Sequence, residues 1–173
     1  MNYTIYPEPI AKEDEMNPEA KASFEGGYLT VVLPVGYVLW RFISRMNDRR
    51  FGAFWVDVPT MTNLMNALHT SGNFSETYKK DNVRDNLAVL TSWSNLSWRL
   101  KIRVNKEVIA YVGRTGLQKH FMETENRTAF GGDAKMEKAV EQRIGGFDQY
   151  VIPRFRGLPN ENNCAQIEHF AHI

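Results

Sequence analysis

Arg41 stands between Trp40 and Phe42 in an otherwise apolar run, Tyr37 to Ile43. In a strand its guanidinium leaves on the face opposite both rings. A guanidinium taken out of water needs an anion, and it matches a carboxylate or a phosphate by two parallel hydrogen bonds. The structural alternative is an edge-strand arginine whose head reaches water along its own stem. A second stretch is YVGRTGLQKH, Tyr111 to His120, where Gly113 and Gly116 bracket Arg114 and let backbone amides approach a ligand. The glycine spacing and the Lys-Ser/Thr ending of a Walker A loop are both missing, and a plain tight loop is the simpler reading. A third is RIGGFDQYVIPRF, Arg143 to Phe155. Its paired glycines allow a tight turn that sets Asp148 and Gln149 at the mouth of a short strand, Tyr150 to Ile152.

Two other groupings invite chemistry. Trp98 to Val104 puts Arg99, Lys101 and Arg103 on one face, a ladder that can meet phosphates but equally well forms the wet face of a half-buried sheet. Cys164, His169 and His172 suggest zinc, yet they supply three ligands without a fourth, and the two histidines leave opposite faces of a strand. No metal is expected.

The elements that position these residues follow from periodicity. Tyr37 to Ile43 and Phe51 to Val56 predict two strands joined by a basic loop with Arg45, Arg49 and Arg50, and Tyr28 to Leu33 predicts a strand before them, turned by Pro34 and Gly36. Thr60 is positioned to cap a helix with Leu64, Met65 and Leu68 on one face and Gly72 as its stop. Ser75 caps a second, predicted to run through Trp93 on the stripe Tyr78, Val83, Leu87 and Leu90, with Arg84 and Asp85 on its solvated side. Trp98 to Val104 alternates as a strand, and Asn105 with Lys106 predicts a hairpin turn into Glu107 to Val112. Met136, Val140 and Ile144 predict a helix from about Asp133 to Ile144, and the tail from Asn162 onward reads as a closing strand. Residues 1–27, rich in Pro, Glu and Lys, read as an extended, largely surface-bound lead or linker with one short strand at Tyr3 to Tyr6, and residues 28–173 as one domain.

At 173 residues the chain can bury one core, and its 43% hydrophobic and 24% charged residues exclude wholesale disorder. A formal net charge of +1 gives no global attraction to nucleic acid, so any anion site must be local. A single cysteine forms no internal disulfide. The first residues have no basic-then-apolar signal, and no stretch approaches membrane-spanning length, so a soluble protein without a signal peptide is expected.

The order of these pieces resembles the ADP-ribosyltransferase superfamily of NAD-consuming domains, most closely its small toxin domains that act as NAD glycohydrolases. The motifs are Arg41 on an early strand, Phe51-Gly52-Ala53-Phe54-Trp55 on the next, and IGGFDQY leading into a late strand at Gln149. The chain is also similar to cargo domains of type VI secretion effectors. Their pieces are matched by Trp40 with Arg41, Gly52 to Trp55, Arg84 to Trp93, Gly113 to Gln118, and Gly145 to Gln149. The resemblance implies an α+β fold, a split and strongly twisted antiparallel sheet with peripheral helices.

It also implies cleavage of the nicotinamide–ribose bond of NAD, by hydrolysis or by transfer to a macromolecular acceptor, in an antibacterial toxin delivered by a secretion system into a target-cell cytoplasm and neutralised by a cognate immunity protein. By resemblance Arg41 holds the dinucleotide, and Phe51, Phe54 or Trp55 packs on nicotinamide beside Gly52. Gln149, helped by Asp148, addresses the ribose, and Arg45, Arg49, Arg50 or Arg114 assists Arg41 at the pyrophosphate. Bond cleavage passes through an oxocarbenium-like state, which a carbonyl oxygen stabilises. The superfamily's Ser-Thr-Ser on the second strand is absent, and so is the Glu-x-Glu or Gln-x-Glu pattern of arginine-modifying transferases, which speaks against modification at arginine; Gln149 in place of Glu makes water the expected acceptor. Two other readings are a non-catalytic binding or immunity domain, and a small toxin acting on nucleic acid through the Arg99 to Arg103 face.

Overall fold

The computed structural model describes residues 18–44, 54–91, 93–127, 133–152 and 165–173. In chain order the elements are α1 (Pro18–Ala22), β1 (Leu29–Leu33), β2 (Val38–Ile43), β3 (Phe54–Asp57), α2 (Val58–Ser71), α3 (Glu76–Leu87), β4 (Trp98–Val104), β5 (Val108–Arg114), β6 (Gln118–Arg127), β7 (Asp133–Arg143), β8 (Asp148–Val151) and β9 (Ala165–His172). Among the described residues, seven strands form one antiparallel sheet in the order β1-β5-β8-β3-β2-β4-β9, and β6 with β7 forms a separate two-stranded arm. The fold is α+β, a twisted antiparallel sheet with few helices.

The apolar face of the alternating strands defines the main core. Leu33, Val108 and Ala110 from one end of the strand order pack in one cluster with Leu100, Ile102, Val104 and Ala165 from the other, around the fully buried Leu39 and Trp55. Strands so far apart in order share a core only if the sheet curls over on itself, as right-handed twist accumulated over seven strands permits. A second cluster packs Met61 and Leu64 of α2 and Val83 and Leu87 of α3 on Val56, with Trp40 and Phe42 beside it. Register places Trp40 and Val56 on one face and Leu39 and Asp57 on the other, so Arg41 leaves opposite to Trp40 and Phe42, as its sequence position requires.

Several elements differ from the sequence expectation. The cap of α2 is Asp57, whose Oδ1 accepts from Thr60 N at 2.8 Å, and Pro59 sits in its first turn; Gly72 ends it at φ 66°. Ser75 does cap α3, but the helix stops at Leu87 because Ala88 turns left-handed at φ 52°. Arg84 lies inside, not on a solvated face: it is 5% exposed and its Nη1 donates to Val89 O at 3.5 Å. β4 and β5 are not a hairpin; β4 pairs with β2 and β9, and β5 with β1 and β8. The predicted helix over Asp133 to Ile144 is strand β7, paired with β6. Spacings of four fit both a helix turn and one face of a strand, so Met136, Val140 and Ile144 cannot separate the two. Ala20 and Phe24, from the stretch expected to lie on the surface, are buried against Tyr111 and Val151. The short strand expected at Tyr3 to Tyr6 lies outside the described residues. No described helix is long and apolar enough to cross a membrane.

Candidate functional site

Among the described residues, β2 and β3 share two register pairs, Leu39 with Asp57 and Trp40 with Val56. Beyond them β2 stays with β4, while Phe54 and Trp55 pair with Val151 and Tyr150 of β8. The sheet therefore parts at Arg41. A cavity of about 140 Å³ lies here, bordered by Trp40, Arg41 and Phe42 on one side and by Phe54, Trp55, Val56 and Gln149 on the other. Leu87, Ala88 and Val89 at the end of α3, then Trp93, Ser94 and Leu96, close a third wall, and Ser23, Thr115 and Gln118 complete it.

By pleat alone Arg41 belongs to the face of Leu39 and Trp55, and Gln149 to the face of Val56. Both border the cavity because it occupies the parting of the strands. The Arg41 Cζ lies 5.9 Å from the centroid of the Trp55 ring, within cation–π range.

Gln149 is 4% exposed, and its Nε2 donates to Leu87 O at 2.8 Å. That carbonyl is among the last four of α3, which have no partner within the helix. The bond fixes the Gln149 amide against the end of α3, at the border of the cavity. The double-glycine turn brings Gln149 to this place. Gly145 N donates to Asp85 O at 2.7 Å, Gly146 N to Thr115 O at 2.8 Å, and Phe147 N to Asn86 O at 3.3 Å, which ties the turn between α3 and β5. Gly145 has φ +75°, and a Cβ on it would sit 2.4 Å from Thr115 O. Thr115 in turn donates Oγ1 to Phe147 O at 2.9 Å.

Tyr150, next along β8, anchors the strand from its other face. Its hydroxyl donates to Asp57 Oδ2 at 3.1 Å and lies 3.1 Å from the Tyr37 hydroxyl. Burial first, then the Tyr37 hydroxyl and the Asp57 carboxylate, raise the Tyr150 phenol far above its ordinary range, so it stays a neutral donor. Burial lowers the Arg84 pKa, with Arg143 adding to the effect.

Arg41, Phe54, Trp55 and Gln149 thus meet at one cavity. Asp148 and Arg114 do not: they face each other in register, both exposed, and leave β8 and β5 on the face that Gln149 does not take. Phe51, Gly52 and the basic loop residues Arg45, Arg49 and Arg50 lie outside the described residues. Sequence reasoning marked Gln118 as the end of the Gly113 to Gln118 motif but did not single out Ser23, Thr115 or the Leu87 carbonyl. Thr115 falls inside that motif, which was its signal; Ser23 had none. The cation ladder is largely compensated, since Lys101 Nζ lies 2.8 Å from Glu168 and Arg103 Nε engages the same carboxylate. His169 packs on Trp40 and His172 on Trp98, and Cys164 lies outside the described residues.

Neither a protein-family model nor a curated protein matches the chain. Among solved structures it is similar to a chain of Tne2 in complex with Tni2, with TM-score 0.51 and 16% identity over 87% of this chain and 96% of that one. It also aligns with a chain of Rhs1-CT in complex with its cognate immunity protein RhsI1, with TM-score 0.47 and 13% identity over 87% of this chain and 84% of that one. At 16% identity the first comparison shows a shared fold.

Proposed function

We propose that this chain is a toxin domain that consumes NAD, cleaving the nicotinamide–ribose bond by hydrolysis or by transfer to a target. The observation that carries the reading is the single cavity bordered by Arg41, Trp55 and a Gln149 whose amide nitrogen is already engaged by Leu87. At about 140 Å³ the cavity is close to the ~150 Å³ that takes up one benzene ring. Nicotinamide fits that space, and the remainder of the dinucleotide crosses the open side at Arg41.

In this reading Phe54 and Trp55 hold the leaving ring, Arg41 binds pyrophosphate oxygens in its fork, and the Gln149 carbonyl faces the ribose as positive charge develops. Nicotinamide departs readily, so no strong general acid is required. The fold shared with a chain of the Tne2–Tni2 complex, with the type VI effector motifs, supports a toxin held in check by a dedicated protein partner. Delivery into a target bacterium belongs to the same proposal.

The test is nicotinamide release on incubation of the purified chain with NAD, followed by chromatography. Wild type is expected to turn over, and Arg41→Ala and Gln149→Ala to lose about 10²-fold or more in kcat/KM while each still melts cooperatively. A folded wild type that releases no nicotinamide and gains no thermal stability from NAD refutes the proposal.

A further inference from the structure

Among the described residues, five aromatic side chains border the cavity at the parting of β2 and β3. Trp55 is fully buried, and Trp40, Phe42 and Phe54 are half-buried. Trp93 is 55% exposed. A lone exposed apolar ring needs no explanation, but this one stands at the rim of a cavity on a turn held from both sides. Before it, Thr91 N and Oγ1 donate to Glu141, and Trp93 N itself donates to Leu90 O at 3.0 Å. After it, Ser94 Oγ accepts from Ser44 Oγ and from Leu96 N, each at 3.1 Å, and Asn95 N donates to Ser44 Oγ at 3.1 Å. The turn is tied to β7 on one side and to the residue that follows β2 on the other. An aromatic side chain on a backbone held this way is a platform for a second flat ring, because little order remains to be imposed when that ring binds.

We propose that Trp93 stacks on the adenine of NAD. The proposal rests on the NAD reading above and adds the seat of the second ring. A cavity of about 140 Å³ holds one aromatic ring, so only one of the dinucleotide's two rings enters it. With nicotinamide inside and pyrophosphate at Arg41, adenine lies beyond the mouth, where Trp93 offers the accessible aromatic surface. Stacking on indole needs no polar partner, since every base has a π-face. Adenine takes no part in the charge that develops at the ribose, so this contact is equally strong before and during bond cleavage. Its loss therefore raises KM and leaves kcat in place.

Steady-state nicotinamide release by the full chain, with AMP as a competitor, tests the assignment. AMP carries the outer ring and one phosphate, and is expected to inhibit the wild type competitively against NAD. Trp93→Leu keeps apolar bulk without a ring, and is expected to raise KM for NAD and Ki for AMP at least about fivefold each, with kcat within about twofold of wild type. Trp93→Phe restores a ring and is expected to stay within about twofold of wild type in both constants. An active wild type that AMP does not inhibit competitively overturns the proposal and leaves the NAD reading standing. Unchanged KM and Ki in Trp93→Leu, a loss of kcat at unchanged KM, or equal losses in the Leu and Phe variants do the same. A wild type that releases no nicotinamide refutes the NAD reading, and this proposal with it. If Trp93→Leu fails to melt cooperatively, Trp93→Ala takes its place with the same expectation and the same grounds for rejection.

Discussion

Glu141 is where a single side chain fixes a wall of the candidate site. Its carboxylate accepts from Thr91 N at 3.0 and 3.1 Å, from Thr91 Oγ1 at 2.7 Å and from Arg143 Nε at 2.8 Å, which tethers the segment that ends in Trp93 to the foot of β7. Arg143 also reaches Asp85 at 2.8 Å and Asp81 at 3.6 Å on α3. Burial alone would raise the Glu141 pKa, but the Thr91 and Arg143 hydrogen bonds outweigh it and bring it down to about 2. Because the folded value lies below the unfolded one, the contribution is complete above about pH 4.5 and is lost as pH falls toward 2. Urea unfolding should therefore show wild type losing about 1–3 kcal/mol more than Glu141→Gln between neutral and strongly acid pH. Parallel losses in the two proteins would mean the carboxylate contributes nothing.

At the scale of elements, the turn before β8 decides whether Gln149 reaches Leu87. Gly72 and Gly145 both adopt positive φ, but a Cβ on Gly72 would meet nothing within 4 Å, whereas on Gly145 it would meet Thr115 O at 2.4 Å. Gly72→Ala should cost about 1 kcal/mol, the left-handed penalty alone. Gly145→Ala should cost roughly 2–4 kcal/mol, since backbone must also move. Thermal melts compare the two, and equal costs would remove the argument for steric closure.

The same scale shows what local pattern could and could not supply. Arg41's strand and the caps at Ser75 and Gly72 were legible because each depends on neighbouring residues. The partners of β4 and β5 were not, since Asn105 and Lys106 specify a turn but not which strands pair across it. β7 was misread as a helix because its apolar spacing of four serves either period. The Leu87 acceptor was hidden because it exists only where Ala88 ends α3 early, and alanine carries no signal for a left-handed cap.

Across the whole molecule, the curled sheet buries one face around Leu39 and Trp55, and the parting of β2 from β3 opens the other to the end of α3. Arg41, Trp55 and Gln149 were each visible in sequence, while their meeting depends on where the β2–β3 pairing stops, a long-range register that no short motif encodes. Asp148 and Arg114 show the converse, since residues adjacent to the site in sequence leave by the opposite face. The central claim is that one ligand occupies this parting and engages both arginine and amide sides. A crystal structure of the Gln149→Ala variant soaked with NAD tests it most directly. The account predicts the nicotinamide ring in the cavity against Phe54 and Trp55, with pyrophosphate oxygens within hydrogen-bond reach of Arg41; NAD bound elsewhere, or phosphates lying away from Arg41, would contradict it.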